Sequence, residues 1–459
     1  MHKKAWRCRA FFYTVSNEKT LVTAYNIKYN KRGGTLMDDI QVSALGAIVA
    51  LVVAIVLILK KVSPAYGMLA GALVGGIVGG VDIVNTVSLM MAGAEDIIPA
   101  VLRILAAGVL AGVLIESGAA AVIAETIVKK LGETRALLAL SLATMILTTV
   151  GVFVDVAVIT VAPIALAIAK KAGISKMAIL LAMIGGGKAG NIMSPNPNAI
   201  AASDAFDVPL TSIMAAGIIP AVFGLIVTYI LAKKLVKKGS AIQVEEIDTP
   251  NSLELPSFLT AIIAPIVTIL LLSLRPLLNI SIDPMIALPV GGIVGAIVMG
   301  RGKKINDYAV SGLGKMTGVA IMLLGTGTLA GIIANSGLKD VLIDGLNLLG
   351  LPGFVLAPVS GIFMSAATAS TTAGTAVASQ VFSSTILDMG VSALAGAAMI
   401  HAGATVLDHL PHGSFFHSTG GSVNMEMKER LKLIPYETLV GLTLALISTL
   451  IYGVFHLFG

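Results

Sequence analysis

Apolar stretches long enough to sit in a bilayer recur along nearly the whole chain, and this constrains it more than any other feature. Fourteen can be picked out, at roughly 40–60, 64–80, 97–116, 135–152, 154–170, 177–192, 212–233, 258–275, 284–300, 315–334, 354–367, 371–388, 391–406 and 437–458. A helix needs about 20 apolar residues to cross a hydrocarbon layer of about 30 Å. In that layer every backbone polar group must be satisfied within the protein, which leaves helices as the spanning element. Segments that are short or interrupted by Gly and Pro must then be re-entrant or broken, and buried against other helices. The expected fold is an all-α polytopic membrane protein of roughly 12–14 segments, some of them hairpins or broken helices. Composition agrees: of 459 residues 56% are hydrophobic and 12% charged, with a single Cys. A soluble domain carries about twice that charge. A soluble enzyme, a disordered chain, a disulfide scaffold and a nucleic-acid binder are all excluded.

The segments repeat. Leu110-Ala-Gly-Val-Leu-Ile-Glu-Ser-Gly118 returns as Leu329-Ala-Gly-Ile-Ile-Ala-Asn-Ser-Gly337, and Leu131-Gly132 as Leu349-Gly350. Gly151-Val-Phe-Val-Asp155 returns as Gly361-Ile-Phe-Met-Ser365, Lys188-Ala-Gly190 as His401-Ala-Gly403, and Gly75-Gly-Ile-Val-Gly79 as Gly291-Gly-Ile-Val-Gly295. The offset stays near 210–220. Matches in one order at one offset imply two repeats of about seven segments, and an odd number of crossings inverts the second copy. The division reads as repeat one over 37–238, a polar cytoplasmic linker over 239–257, and repeat two over 258–459. With Lys60-Lys61 in the cytoplasm, Lys129-Lys130, Lys170-Lys171, Lys233–Lys238, Arg301–Lys304 and Lys428–Lys432 fall on the same side, as the positive-inside rule asks. Residues 1–36 are basic and non-membrane. The same threading would put them outside the cell, so an over-extended start with true initiation at Met37 is one reading and a cytoplasmic tail the other.

Polar or helix-breaking residues at membrane depth are functional candidates, and they gather in four places. Thr148–Asp155 places Gly151 and an acid inside an apolar stretch; Asp155 is a proton carrier or an interfacial acid in a turn. Gly185-Gly-Gly-Lys188-Ala-Gly-Asn191-Ile-Met-Ser194-Pro-Asn196-Pro-Asn198 cannot continue a lipid-facing helix. The half-helix that follows would offer N–H groups to an anion, and Asn191, Ser194, Asn196 and Asn198 would bind hydroxyls. Lys188 pairs either with a substrate carboxylate or with an intramembrane acid. In the second half Thr368, Ser370, Thr371 and Thr372 form a hydroxyl-rich tip, read as substrate-binding or as small-residue helix packing. Four of the six His lie within 401–417. His401, Asp408, His409 and His412 are candidates for proton or ion coupling, since His titrates near pH 6.5. A zinc site on Asp408, His409 and His412 is disfavoured by the absence of thiolates and by Pro411, which breaks helical spacing. No cofactor and no metal are expected.

The two-fold repeat, the Gly-Lys-Ala-Gly-Asn-Ile-Met-Ser-Pro-Asn-Pro-Asn stretch at 187–198, Leu410-Pro-His-Gly-Ser-Phe-Phe-His417 and Arg430-Leu-Lys-Leu-Ile-Pro435 resemble the gluconate permease family, within the wider ion-transporter superfamily of organic-anion carriers. The resemblance covers about 40–459. It implies a multi-pass protein of the bacterial cytoplasmic membrane that takes up a sugar acid or small hydroxy acid with protons, through paired re-entrant hairpins and an elevator-like movement. The hydroxyl-rich 365–375 and the His cluster depart from the gluconate carriers, which opens the substrate to 3-hydroxybutyrate, citrate or another carboxylate. The partners expected are a small organic anion, a proton or sodium, and the lipid bilayer; a homodimer is left open. The rival classes are a sodium-coupled carboxylate carrier, an anion channel, and an intramembrane enzyme using Ser414 with His412.

Overall fold

A computed structural model describes residues 40–132, 135–242 and 255–457. Residues 1–36 and most of the expected linker lie outside the described residues. Among those described, the chain is helical throughout, apart from one isolated bridge between Val42 and Ser336. Five helices are long and apolar enough to cross a membrane: Ile98–Glu116, Leu210–Leu235, Phe258–Arg275, Gly302–Ala334 and Met427–Val454. The pair Leu338–Leu348 and Gly353–Thr368 has the combined length and apolarity of a further span but is bent by 118°, the shape of a broken span or a re-entrant loop. The remaining apolar helices, among them Ala44–Leu59, Pro64–Val78 and Ala136–Thr149, are shorter.

Helices follow one another in the same order in the two halves. Ala44–Leu59 and Pro64–Val78 correspond to Ile263–Leu278 and Pro284–Val298. Ile83–Asp96 with Ile98–Glu116 correspond to the single helix Ile305–Ala334. The first copy breaks where Pro99 removes a backbone donor. Ala119–Leu131, Ala136–Thr149, Val154–Ala172, Lys176–Asn191 and Pro197–Ala205 then match Leu338–Leu348, Leu356–Thr368, Thr371–Asp388, Ala393–Gly403 and Ser414–Ser422. Packing repeats as well. A Cβ on Gly186 would lie 2.0 Å from the Ser141 carbonyl oxygen, and one on Gly361 would lie 2.4 Å from that of Ile400. The same two corresponding helices therefore touch backbone to backbone in each half.

Besides the short helices Pro197–Ala205 and Ser414–Ser422, three longer ones fall outside the fourteen apolar segments: Ile83–Asp96, Ala119–Leu131 and Leu338–Leu348. Each carries its apolar residues as a stripe beside acids and lysines such as Glu125, Lys129, Asp340 and Asp344. An amphipathic helix of this kind is diluted in a plain run of hydrophobicity.

The helices form two packed groups. Ala44–Leu59 to Ile98–Glu116 pack with Ile263–Leu278 to Ile305–Ala334, and the helices from 136 to 235 pack with those from 356 to 454. The groups meet chiefly where Ile305–Ala334 lies against Thr371–Asp388 and where Ile98–Glu116 lies against Pro197–Ala205. At the second contact Arg103 donates to Asp204 and, from Nη2, to Asp283 at 2.7 Å.

Candidate functional site

Four helices begin at one place. Asn196-Pro197 opens Pro197–Ala205 with Asn as N-cap and Pro in the first turn, where its missing N–H costs nothing. Ser370 opens Thr371–Asp388, its hydroxyl accepting from the Ala373 N–H at 3.2 Å. Gly413 opens Ser414–Ser422 with no side-chain cap, and Phe153 opens Val154–Ala172. The turns feeding these starts are sharp. Gly151 has φ +100° and Ala369 sits in the left-handed region at φ +46°, which only Gly adopts freely. A Cβ on Gly413 would come within 2.6 Å of the Ala369 Cβ, so Gly is required for the two tips to meet. First-turn residues of all four helices line a single cavity of about 440 Å³: Asp155, Asn198, Thr371, Thr372, Ser414 and Phe415 are among its walls. The segments 148–160 and 361–375, which contain the matched Gly151–Asp155 and Gly361–Ser365, supply residues 153–156 and 369–372 to it.

Each helix start carries roughly half a positive charge on unsatisfied N–H groups. Four together make the cavity a place for negative charge. Side chains close the site: Thr372 Oγ1 donates across the halves to Asn198 Oδ1 at 2.6 Å, and within the second half Thr371 Oγ1 donates to Asp408 Oδ2 at 2.5 Å. Behind Asp408 the wall is closed by Lys188, whose Nζ donates to Asp408 Oδ1 at 2.6 Å and the Thr405 carbonyl at 2.7 Å, and lies 3.0 Å from His409 Nδ1. The His409 ring is held from both sides: Nδ1 lies 3.1 Å from Asp408 Oδ1 as well, and Nε2 lies 3.1 Å from both the Ile434 carbonyl and Thr438 Oγ1.

The structure sorts the candidate residues. Asn191, Asn198, Ser370, Thr371 and Thr372 line the cavity, as do Asp155 and Asp408. Lys188 is 1% exposed and is enclosed by Asp408, the Thr405 carbonyl and His409, so of its two readings the pairing with an intramembrane acid is the one observed. Ser194 is fully buried, and its hydroxyl has no partner among the described residues. Thr368 turns back onto the Met364 carbonyl at 2.8 Å. The His cluster is dispersed: His409 backs Asp408, His412 faces the Ala367 carbonyl at 3.3 Å, and His401 lies in a separate cavity of about 10 Å³. No three His, Cys, Asp or Glu among the described residues are placed to share a metal ion. Asn196 works from behind the wall, its Nδ2 donating to Asn191 Oδ1 at 2.6 Å and its Oδ1 capping the Ala199 N–H at 3.0 Å. Asn196→Ala should therefore lower thermal stability by about 1–2 kcal/mol and loosen Asn191; unfolding at the wild-type temperature would contradict the capping role.

One charged wall residue is absent from the sequence reading. Lys315, on Ile305–Ala334, lines the cavity. It is the one charged residue between Asp307 and Lys339, and a lone charge in an apolar helix is a signal for function.

A family model described as GntP family permease matches residues 42–455, the whole helical body. The chain belongs to the GntP permease family. It is 72% identical over 414 residues to an uncharacterized transporter of Haemophilus influenzae, a match covering 90% of this chain and 99% of that protein. Its fold is similar to that of the Alcanivorax borkumensis YdaH transporter, with a TM-score of 0.63 at 16% identity over 82% of this chain and 90% of the other. It is also similar to Neisseria gonorrhoeae MtrF, described within a class of antimetabolite efflux pumps, with a TM-score of 0.57 at 16% identity over 81% and 84% of the two chains. This GntP permease is a multi-pass membrane transporter.

Proposed function

We propose that this GntP permease is a secondary active carrier of a small organic anion, a gluconate-like sugar acid or hydroxy carboxylate, moved with a proton by alternating access in the bacterial cytoplasmic membrane. The observation that carries the reading is the convergence of four helix N-termini, two from each half, on one cavity. Half-helix starts aimed at a shared site suit a carboxylate. The amide and hydroxyls of Asn198, Thr371 and Thr372 suit a polyol or hydroxyl, and Phe153 and Phe415 a carbon chain. A volume of about 440 Å³ lies in the range of roughly 300–1,000 Å³ used by small-molecule sites. The matching helix order of the halves supports inverted repeats.

The test is reconstitution into proteoliposomes with gluconate, 3-hydroxybutyrate and citrate in turn. Saturable uptake and counterflow of one acid, driven by an imposed pH gradient, is the expected result. Flux that never saturates would make the protein a channel. Uptake that follows a sodium gradient and ignores pH would transfer the coupling role to the hydroxyl-rich tip at 365–375.

A further inference from the structure

We propose that Lys315 is the counter-charge for the substrate carboxylate, held in reserve by Glu116 until the anion arrives; this rests on the anion-carrier reading above. An anion placed in the cavity needs a full cationic partner as well as helix dipoles, since an unpaired charge in a low-dielectric site costs several kcal/mol. Lys188, the obvious partner in sequence, is closed on Asp408, Thr405 and His409. Among the lining residues Lys315 is then the cation with hydrogens to give. Its Nζ stands 3.8 Å from Glu116 Oε1, beyond hydrogen-bond length. Glu116 is held by a second partner, Ser311, whose hydroxyl donates to it at 2.7 Å. Both charged side chains are about one-third exposed, 33% for Lys315 and 40% for Glu116. A loose, partly hydrated pair of this kind is weak. It keeps the ammonium near the site and gives way to a better-placed carboxylate.

Position gives the pairing a second consequence. Lys315, Gly318, Val319 and Met322 belong to Ile305–Ala334, in the first helix group, whereas Asp155, Asn198, Thr371, Thr372 and Asp408 come from the second. A carboxylate bound between them is a salt bridge across the junction of the groups. It forms only while they are aligned, and a displacement of one group against the other separates the anion from its cation.

The experiment measures binding to the full-length protein in detergent by titration calorimetry. The probe is whichever of gluconate, 3-hydroxybutyrate and citrate binds the wild type, with the primary amide of the same acid as an uncharged control. Lys315→Gln should weaken the acid at least about tenfold, as loss of a charge-assisted hydrogen bond does, and leave the amide unchanged. Lys315→Arg should restore most of the affinity, and Glu116→Gln should tighten it. Equal affinity in wild type and Lys315→Gln would overturn the assignment and leave the carrier reading standing. A wild type that binds none of the three acids would overturn the carrier reading itself.

Discussion

Lys188→Met is expected to destabilise the folded protein by about 3–5 kcal/mol, the cost of leaving a buried charge without its partner. Lys188 and Asp408 are 1% and 5% exposed at their side chains and 2.6 Å apart. Removing the ammonium strips Asp408 of its counter-ion and takes from the Thr405 carbonyl the donor at 2.7 Å. The double variant Lys188→Met/Asp408→Leu should regain most of that loss, because an apolar pair of similar volume needs no solvation. Thermal unfolding in detergent separates the cases. If Lys188→Met unfolds like the wild type, the pair is not the fastening that joins Lys176–Asn191 to the turn after Ala393–Gly403. The double variant should fold and fail to transport, since Thr371 loses the acceptor that sets its hydroxyl in the cavity wall.

Asp155→Asn should turn a concentrating carrier into an equilibrating one. An inward-negative potential opposes anion entry by about 2.3 kcal/mol per charge per 100 mV, so a monoanion that moves alone is excluded about fiftyfold. The formal charges of the cavity suggest how a proton offsets this. Lys188 and Asp408 cancel, and Lys315 stands against Glu116; a bound carboxylate adds one negative charge, and a single proton on Asp155 removes it. The Asp155 carboxylate has the Val156 N–H at 2.9 Å as its hydrogen-bond donor and lines the cavity, so it can meet both the proton and the anion. Asparagine keeps the size and cannot carry the proton. Uptake against a gradient should vanish, while counterflow, which moves no net charge, continues. Accumulation by Asp155→Asn at the wild-type level would shift the coupling role to Asp408 and His409.

The breaks in the fold were legible in the residues themselves. Gly151, the Asn196-Pro197 step, the Ser370-Thr371 step and the 404–413 stretch stand where helices end and begin, because Gly, Pro and capping side chains act locally on the backbone. The amphipathic helices Ile83–Asp96, Ala119–Leu131 and Leu338–Leu348 were less legible. Their charged faces hide them from a reading that seeks uninterrupted apolar length.

What the sequence alone determined is depth and order. A polar residue between apolar runs must lie inside the bilayer layer, and a helix-breaker there must be covered by protein, which singled out the four clusters in two matching pairs. It did not determine azimuth. Whether Lys188 faces substrate or Asp408, 220 residues away, depends on which side of Lys176–Asn191 packs against the turn at 404–409, and that was decided only when both halves came together. The same holds for the histidines. Three residues apart, His409 and His412 point to different partners because the turn at Pro411 intervenes, and His401 lies in a separate small cavity. Lys315 entered the site from a helix of the other group, since only the packing of Ile305–Ala334 against Thr371–Asp388 brings that one charge to the cavity wall.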